Sequence, residues 1–220
     1  GAWLADRPGA TDIGEAYIVF GKAAAFTPVV DLAALNGATG FRLTGIDAGD
    51  RVGQSVSGIG DFNGDGFDDV IISAPGGDPD GNMEAGECYV IFGRATAFAA
   101  SISLATLNGG NGFRLDGFAP GNFVGQRISA AGDINRDGFG DVIIGGSSAD
   151  PGGAPGAGQA YIVFGRASAF PGSMDLNSLD GANGFNINGI LSGDNAGSEV
   201  APPRRFQGDG VGGLLVRPIK

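Results

Sequence analysis

The apolar residues of this chain fall in short runs, four to six residues long and rich in β-branched types, set between glycine- and aspartate-rich stretches. Such runs predict strands, because branched side chains suit a pleated surface and a buried helix needs a longer segment. Gln54 to Ile59, with Val56 among polar neighbours, reads as a half-exposed strand, and Val70 to Ser73 as a β-branched one. Tyr89 to Phe92 is apolar on both faces, as expected of a strand sandwiched between sheets, and Phe113 to Leu115 makes a fourth. Between the last two, LATLNG (Leu104 to Gly109) has room for about one helical turn ended by Asn-Gly.

The whole pattern recurs every 72 residues. Tyr17, Tyr89 and Tyr161 are so spaced, as are Phe41, Phe113 and Phe185, and Gly53, Gly125 and Gly197, without insertion or deletion. A four-stranded antiparallel unit repeated at fixed interval predicts an all-β chain of β-propeller-type blades, with stacked open sheets as the alternative. Residues 1–220 then form a single repeat array of permuted blades: about 1–51, completed by 197–220, then 52–123 and 124–196. Propellers usually have four to eight blades. Three units therefore imply further repeats of a longer chain, a second copy, or an open array. Uncovered blade faces would expose apolar surface, so self-association is expected.

Composition narrows the partners. The net charge of −11 leaves no basic patch to displace counterions from phosphate, which argues against nucleic acid. No apolar stretch approaches the eighteen or so residues of a membrane span, so no membrane insertion is expected. GAWLADRPG at the start is not a signal peptide, as in a mature form or an excised piece. The lone Cys88 stands where the other units have Ala16 and Ala160, and reads as a small buried residue.

The candidate chemistry lies in DFNGDGFDD (Asp61 to Asp69), which returns as DINRDGFGD (Asp133 to Asp141). Asp61, Asn63, Asp65 and Asp69 place oxygen donors at places one, three, five and nine, and the Phe67 carbonyl fills place seven. Gly66 permits the positive-φ turn that folds the loop back. The second loop offers Asp133, Asn135, Asp137, the Phe139 carbonyl and Asp141, with Arg136 replacing Gly64. Hard oxygens in a flexible loop suit Ca²⁺ better than Mg²⁺, which demands a tighter octahedron. The alternative is a pair of polar turns without metal. In a third, decayed copy, Arg205, Gln207 and Gly213 replace donors and only Asp209 keeps its place, so no calcium is expected there. Asp78 and Asp80 read as a turn, with a minor cation site as the alternative.

GQSVSGIGDFNGDGFDDVIISAP (Gly53 to Pro75) resembles the FG-GAP repeat that builds the head of integrin α chains and many bacterial surface proteins. The motif's Phe-Gly is Val52-Gly53, Val124-Gly125 and Ala196-Gly197 here; its Gly-Ala-Pro is Ser73-Ala74-Pro75 and Gly145-Gly146-Ser147. The resemblance implies a propeller whose calcium loops join the first and second strands of each blade.

These features point to a calcium-stabilised module for extracellular adhesion, or for protein or glycan binding. Homo-oligomers or further repeats are the other expected partners. A self-assembling structural surface protein and a non-catalytic part of a secreted hydrolase are the alternatives. The chain has no histidine, which excludes Ser-His and Cys-His pairs, and its clustered carboxylates are assigned to metal. The variable connectors at the opposite end of the blades are where a ligand would bind on a rigid scaffold, if they are more than solvated loops.

Overall fold

The computed structural model describes residues 1–204 and 213–217. Its strands are β1 (Glu15–Val19), β2 (Gly40–Thr44), β3 (Val56–Gly60), β4 (Asp69–Ala74), β5 (Glu87–Ile91), β6 (Ser101–Ser103) and β7 (Gly112–Asp116). There follow β8 (Arg127–Gly132), β9 (Asp141–Gly146), β10 (Gln159–Val163), β11 (Ser173–Asp175), β12 (Gly184–Asn188), β13 (Glu199–Arg204) and β14 (Gly213–Arg217). Helical structure among the described residues is confined to single 3₁₀ turns. The chain is all-β, and its sheets are propeller-type blades.

The middle blade runs β3, β4, β5, β7 by antiparallel pairing, and the third runs β8, β9, β10, β12. Tyr89 stands opposite Ile72 on one side and Arg114 on the other. Tyr161 stands likewise between Ile144 and Asn186. The sequence interval is thus a structural interval, residue for residue. Both faces of β5 and β10 are buried along their whole length, as their double-faced apolar sequence predicts.

The core lies between blades. Ile59, Phe62, Ile71 and Val90 of the middle blade pack against Ile128, Val142, Ile144 and Tyr161 of the next. Each such side chain contributes about 1.5–3 kcal/mol by leaving water. The innermost strands also touch directly: the Ile128 and Ala130 N–H groups donate to Ser55 Oγ and Ser57 Oγ at 3.2 and 3.3 Å.

Three features depart from the sequence pattern. Strand β5 begins at Glu87, two residues before the apolar run, because Glu87 still pairs with Ala74 and Asp116 across the sheet. LATLNG forms only a 3₁₀ turn, Leu104–Thr106. The third departure precedes that turn. Strand β6 adds in parallel to β2 of the blade before it, and β11 does the same to β7. Each blade-to-blade arm is a three-residue polar–apolar–polar stretch, too short to stand out as a strand.

In the first blade, β1 pairs with β2, and Glu15 bridges to Ala2. Strands β13 and β14 pair with one another in a separate two-stranded sheet.

Candidate metal centres

The loop from Asp61 to Asp68 leaves β3 at a register slip and enters β4 at Asp69. Its geometry follows from short polar side chains that capture nearby backbone N–H groups. Asp61 Oδ1 accepts from the N–H of Gly64 at 2.7 Å and of Asp65 at 3.0 Å, and Oδ2 accepts from Gly66 N–H at 2.9 Å. Asn63 Oδ1 accepts from Asp65 N–H, and Asp65 Oδ1 from Phe67 N–H, both at 2.9 Å. The Asn63 amide donates to Asp65 Oδ2 at 3.0 Å. Gly66 has φ +88°, as the turn requires.

The second loop repeats this. Asp133 accepts from Asp137 and Gly138 N–H at 3.1 and 3.0 Å, and Asn135 Oδ1 accepts from Asp137 N–H at 3.1 Å. Asp137 accepts from Phe139 N–H at 3.0 Å and from the Asn135 amide at 2.8 Å. Gly138 has φ +94°.

Asp69 and Asp141 have a further role that spacing alone did not show. Asp69, 1% exposed, accepts from the N–H groups of Phe62, Asn63 and Gly93 at 2.9, 3.3 and 2.7 Å. Asp141 accepts from Ile134 and Gly165 N–H at 2.8 and 3.0 Å. Gly93 and Gly165 follow the third strand of their blades. Each carboxylate therefore ties the loop to the start of the arm, which places loops and arms at one end of the blades. Burial raises both carboxyls to about 6, against the opposing pull of their N–H donors.

The loops of adjacent blades also meet. Gly140 N–H donates to the Asp61 carbonyl and Arg166 N–H to the Phe62 carbonyl, both at 2.9 Å.

The donor chemistry fits Ca²⁺. Each carboxylate oxygen holding one N–H keeps lone-pair capacity, and Asp65 and Asp137 are exposed. Among the described residues no three acidic, cysteine or histidine side chains group closely enough to hold an ion by themselves. An ion here would need Asn63 or Asn135 and the Phe67 or Phe139 carbonyl as well. Of the decayed copy, Arg205, Gln207 and Asp209 lie outside the described residues, and Gly213 opens β14.

At the opposite end, Asp78 Oδ1 accepts from Glu84 N–H at 2.6 Å. Asp6 and Asp150 make the equivalent bonds to Asp12 and Gly156 N–H at 2.8 and 2.7 Å. These are turn-forming carboxylates. Beneath them lies a buried group that the sequence pattern missed. Glu87 and Asp116, 5% and 6% exposed, face each other across β5 and β7 and share Arg114. Tyr89 OH donates to Glu87, and Asp50 adds a third buried carboxylate. The acidic Glu87 at the head of the strand, two residues before its apolar run, was the only signal.

A family model described as "FG-GAP repeat" matches residues 52–91 and 124–163. Over 129 residues the chain is 33% identical to a phosphatidylinositol-glycan-specific phospholipase D of Dictyostelium discoideum, covering 54% of this chain and 13% of that protein. It is 35% identical over 106 residues to integrin alpha-4 of Xenopus laevis, covering 48% and 9%. To integrin alpha-PS2 of Drosophila melanogaster it is 31% identical over 129 residues, covering 57% and 8%. The chain thus spans 8% to 13% of the length of these relatives.

Proposed function

From a chain built of FG-GAP repeats, we propose a calcium-stabilised, non-catalytic binding module that works outside the cell or on its surface and engages a protein or glycan ligand. The observation that carries this reading is the loop pair. Two segments 72 residues apart fold into the same hydrogen-bonded scaffold around alternate oxygen donors. Asp61, Asn63, Asp65, Asp69 and the Phe67 carbonyl would hold one ion, and Asp133, Asn135, Asp137, Asp141 and the Phe139 carbonyl the other. A bound divalent cation offsets the negative charge of each loop and pins the turn between the first two strands of its blade. By mass action, a site filled to a hundred times its dissociation constant adds about 2.7 kcal/mol of stability. Loops of a few donors typically bind near 10⁻⁴ to 10⁻³ M. Sites of that strength fill outside cells, which supports the extracellular setting. The matched relatives include integrin α chains, in keeping with an adhesion or binding role.

Calorimetric titration with calcium is expected to give two equivalents per chain. Asp65→Ala and Asp137→Ala should each remove one, and Asp209→Ala none. Chelation should lower the melting temperature by several degrees; an unchanged melt would overturn the stabilising role.

A further inference from the structure

The arms that join blades share one construction. Phe98 of the middle blade stacks on Phe41 of the first with ring centroids 4.4 Å apart, and Phe170 of the third stacks on Phe113 of the middle at 4.6 Å. Strands β6 and β11 then run in parallel beside β2 and β7. Arg42 N–H donates to the Ala100 carbonyl, and Arg114 N–H to the Gly172 carbonyl, both at 3.0 Å. Leu104 and Leu176, which open the 3₁₀ turns that follow, are 2% and 0% exposed.

The first blade carries the same arm, which pairs with no strand among the described residues. Lys22 lies over Phe26 as Arg94 does over Phe98 and Arg166 over Phe170, and Leu32 opens the corresponding turn. Yet Phe26 is 50% exposed where Phe170 is 7%, and Val30 is 41% exposed where Met174 is 8%. Leu32 is 42% exposed where its counterparts are buried. The third blade shows the converse. Phe41, Leu43, Phe113 and Leu115 on the covered outer strands are 2% exposed or less. Phe185 and Ile187 on β12 are only half-buried, and β12 ends its sheet with no parallel neighbour among the described residues.

We propose that the arm of one copy of this chain docks on β12 of a second copy. The internal precedents set the register: Val29 opposite Asn186, Val30 opposite Ile187 and Asp31 opposite Asn188, with Phe26 stacked on Phe185. Asn186 N–H then donates to the Pro28 carbonyl, a bond that proline can accept. A second copy is the fitting occupant because plug and socket are both on this chain and match the two contacts already made within it. The interface is heterologous, since different surfaces meet, so it generates rings or open chains rather than closed twofold dimers. It does not use the Asp61 and Asp133 loops, so it stands or falls separately from calcium binding.

Sedimentation velocity tests it, in calcium and in chelator. The wild-type chain should form species larger than a monomer that grow with concentration up to about 100 μM. A plug variant, Phe26→Ser with Leu32→Asp, and a socket variant, Ile187→Lys, should each stay monomeric with unchanged far-ultraviolet circular dichroism. Asn186→Pro is a second socket variant, which removes the outward N–H donor at an edge position. Mixing plug and socket variants should give a dimer and nothing larger, because each contributes its one intact half. A wild type that stays monomeric, or assembly that survives in all the variants, overturns the proposal and leaves the arm to another repeat or another protein. Loss of calcium binding with assembly intact would sink only the metal reading.

Discussion

The two ends of the middle blade both carry carboxylates and use them in opposite ways. At the loop end, Asp61 and Asp65 accept N–H groups from residues no more than five positions away, and the arrangement returns 72 residues later. At the connector end, Glu87 and Asp116 are buried across two strands and answered by Tyr89 and Arg114. Here the repeat keeps a hydrogen bond but not the charge. Tyr17 OH donates to Glu15 at 2.6 Å and Tyr161 OH to Gln159 at 2.7 Å, with Glu87 in the middle unit. Across the sheet from these stand Thr44, Asp116 and Asn188. Acidity is therefore part of the architecture at the loop end. At the other end a neutral amide fills the same place.

The largest effect should come from the residues that join the loop to the blade. Asp69→Ala leaves three backbone N–H groups without their acceptor, Phe62 and Asn63 in the loop and Gly93 beyond β5. Unsatisfied buried donors cost about 1–3 kcal/mol each, so a loss of about 3 kcal/mol or more is expected by urea denaturation in calcium-free buffer. Asp141→Ala should behave similarly. Wild-type stability in both variants would mean that these carboxylates serve only as metal ligands.

The connector end predicts a pH dependence. Burial pushes the Glu87 carboxyl up to about 7, against the opposing pulls of the Tyr89 hydroxyl and Arg114; Asp116 and Asp50 add to the rise. With the folded value above the unfolded one, this group's stabilisation is full below about 4.5 and is lost as pH rises through 7. At 1.36 kcal/mol per unit, the loss is at most about 3 kcal/mol. Glu87→Gln, which places here the amide already present as Gln159, should flatten stability across that window. The difference between wild type and variant isolates Glu87 from Asp50, Asp69 and Asp141, which also titrate near 6. An equal pH dependence in both chains would show that the charge is not buried as described.

The same contrast explains what could be read from the sequence. The Asp61–Asp69 loop is a local object: its Asp, Asn and Gly positions set their own turns, so its turn-forming pattern was visible from spacing alone. The strands were visible because β-branched runs have little else to do. Strands β6 and β11 were not, since SIS and SMD carry one apolar residue each and gain their pairing from a blade formed about sixty residues away. Glu87 fell outside the apolar run from Tyr89 to Phe92, because nothing local shows that Arg114 and Tyr89 engage its carboxylate.

The finest comparison is between the two loops themselves. At the fourth place Gly64 has φ +77° and Arg136 φ +63°, so the first loop meets the left-handed requirement freely and the second does not. A side chain there costs roughly 1–2 kcal/mol in backbone strain. Arg136→Gly relieves that strain but gives back part of the gain as chain entropy in the unfolded state. A net rise below about 1 kcal/mol is expected. Gly64→Ala should go the other way and by more, because its Cβ would also meet the Phe139 ring at 2.5 Å. That ring belongs to the neighbouring loop, so the clash is transmitted between blades. Measured by calcium titration, Gly64→Ala should therefore weaken both sites, whereas Arg136→Gly should strengthen only the second. Equal effects of the two changes on both sites would mean that the loops report overall stability rather than their own geometry.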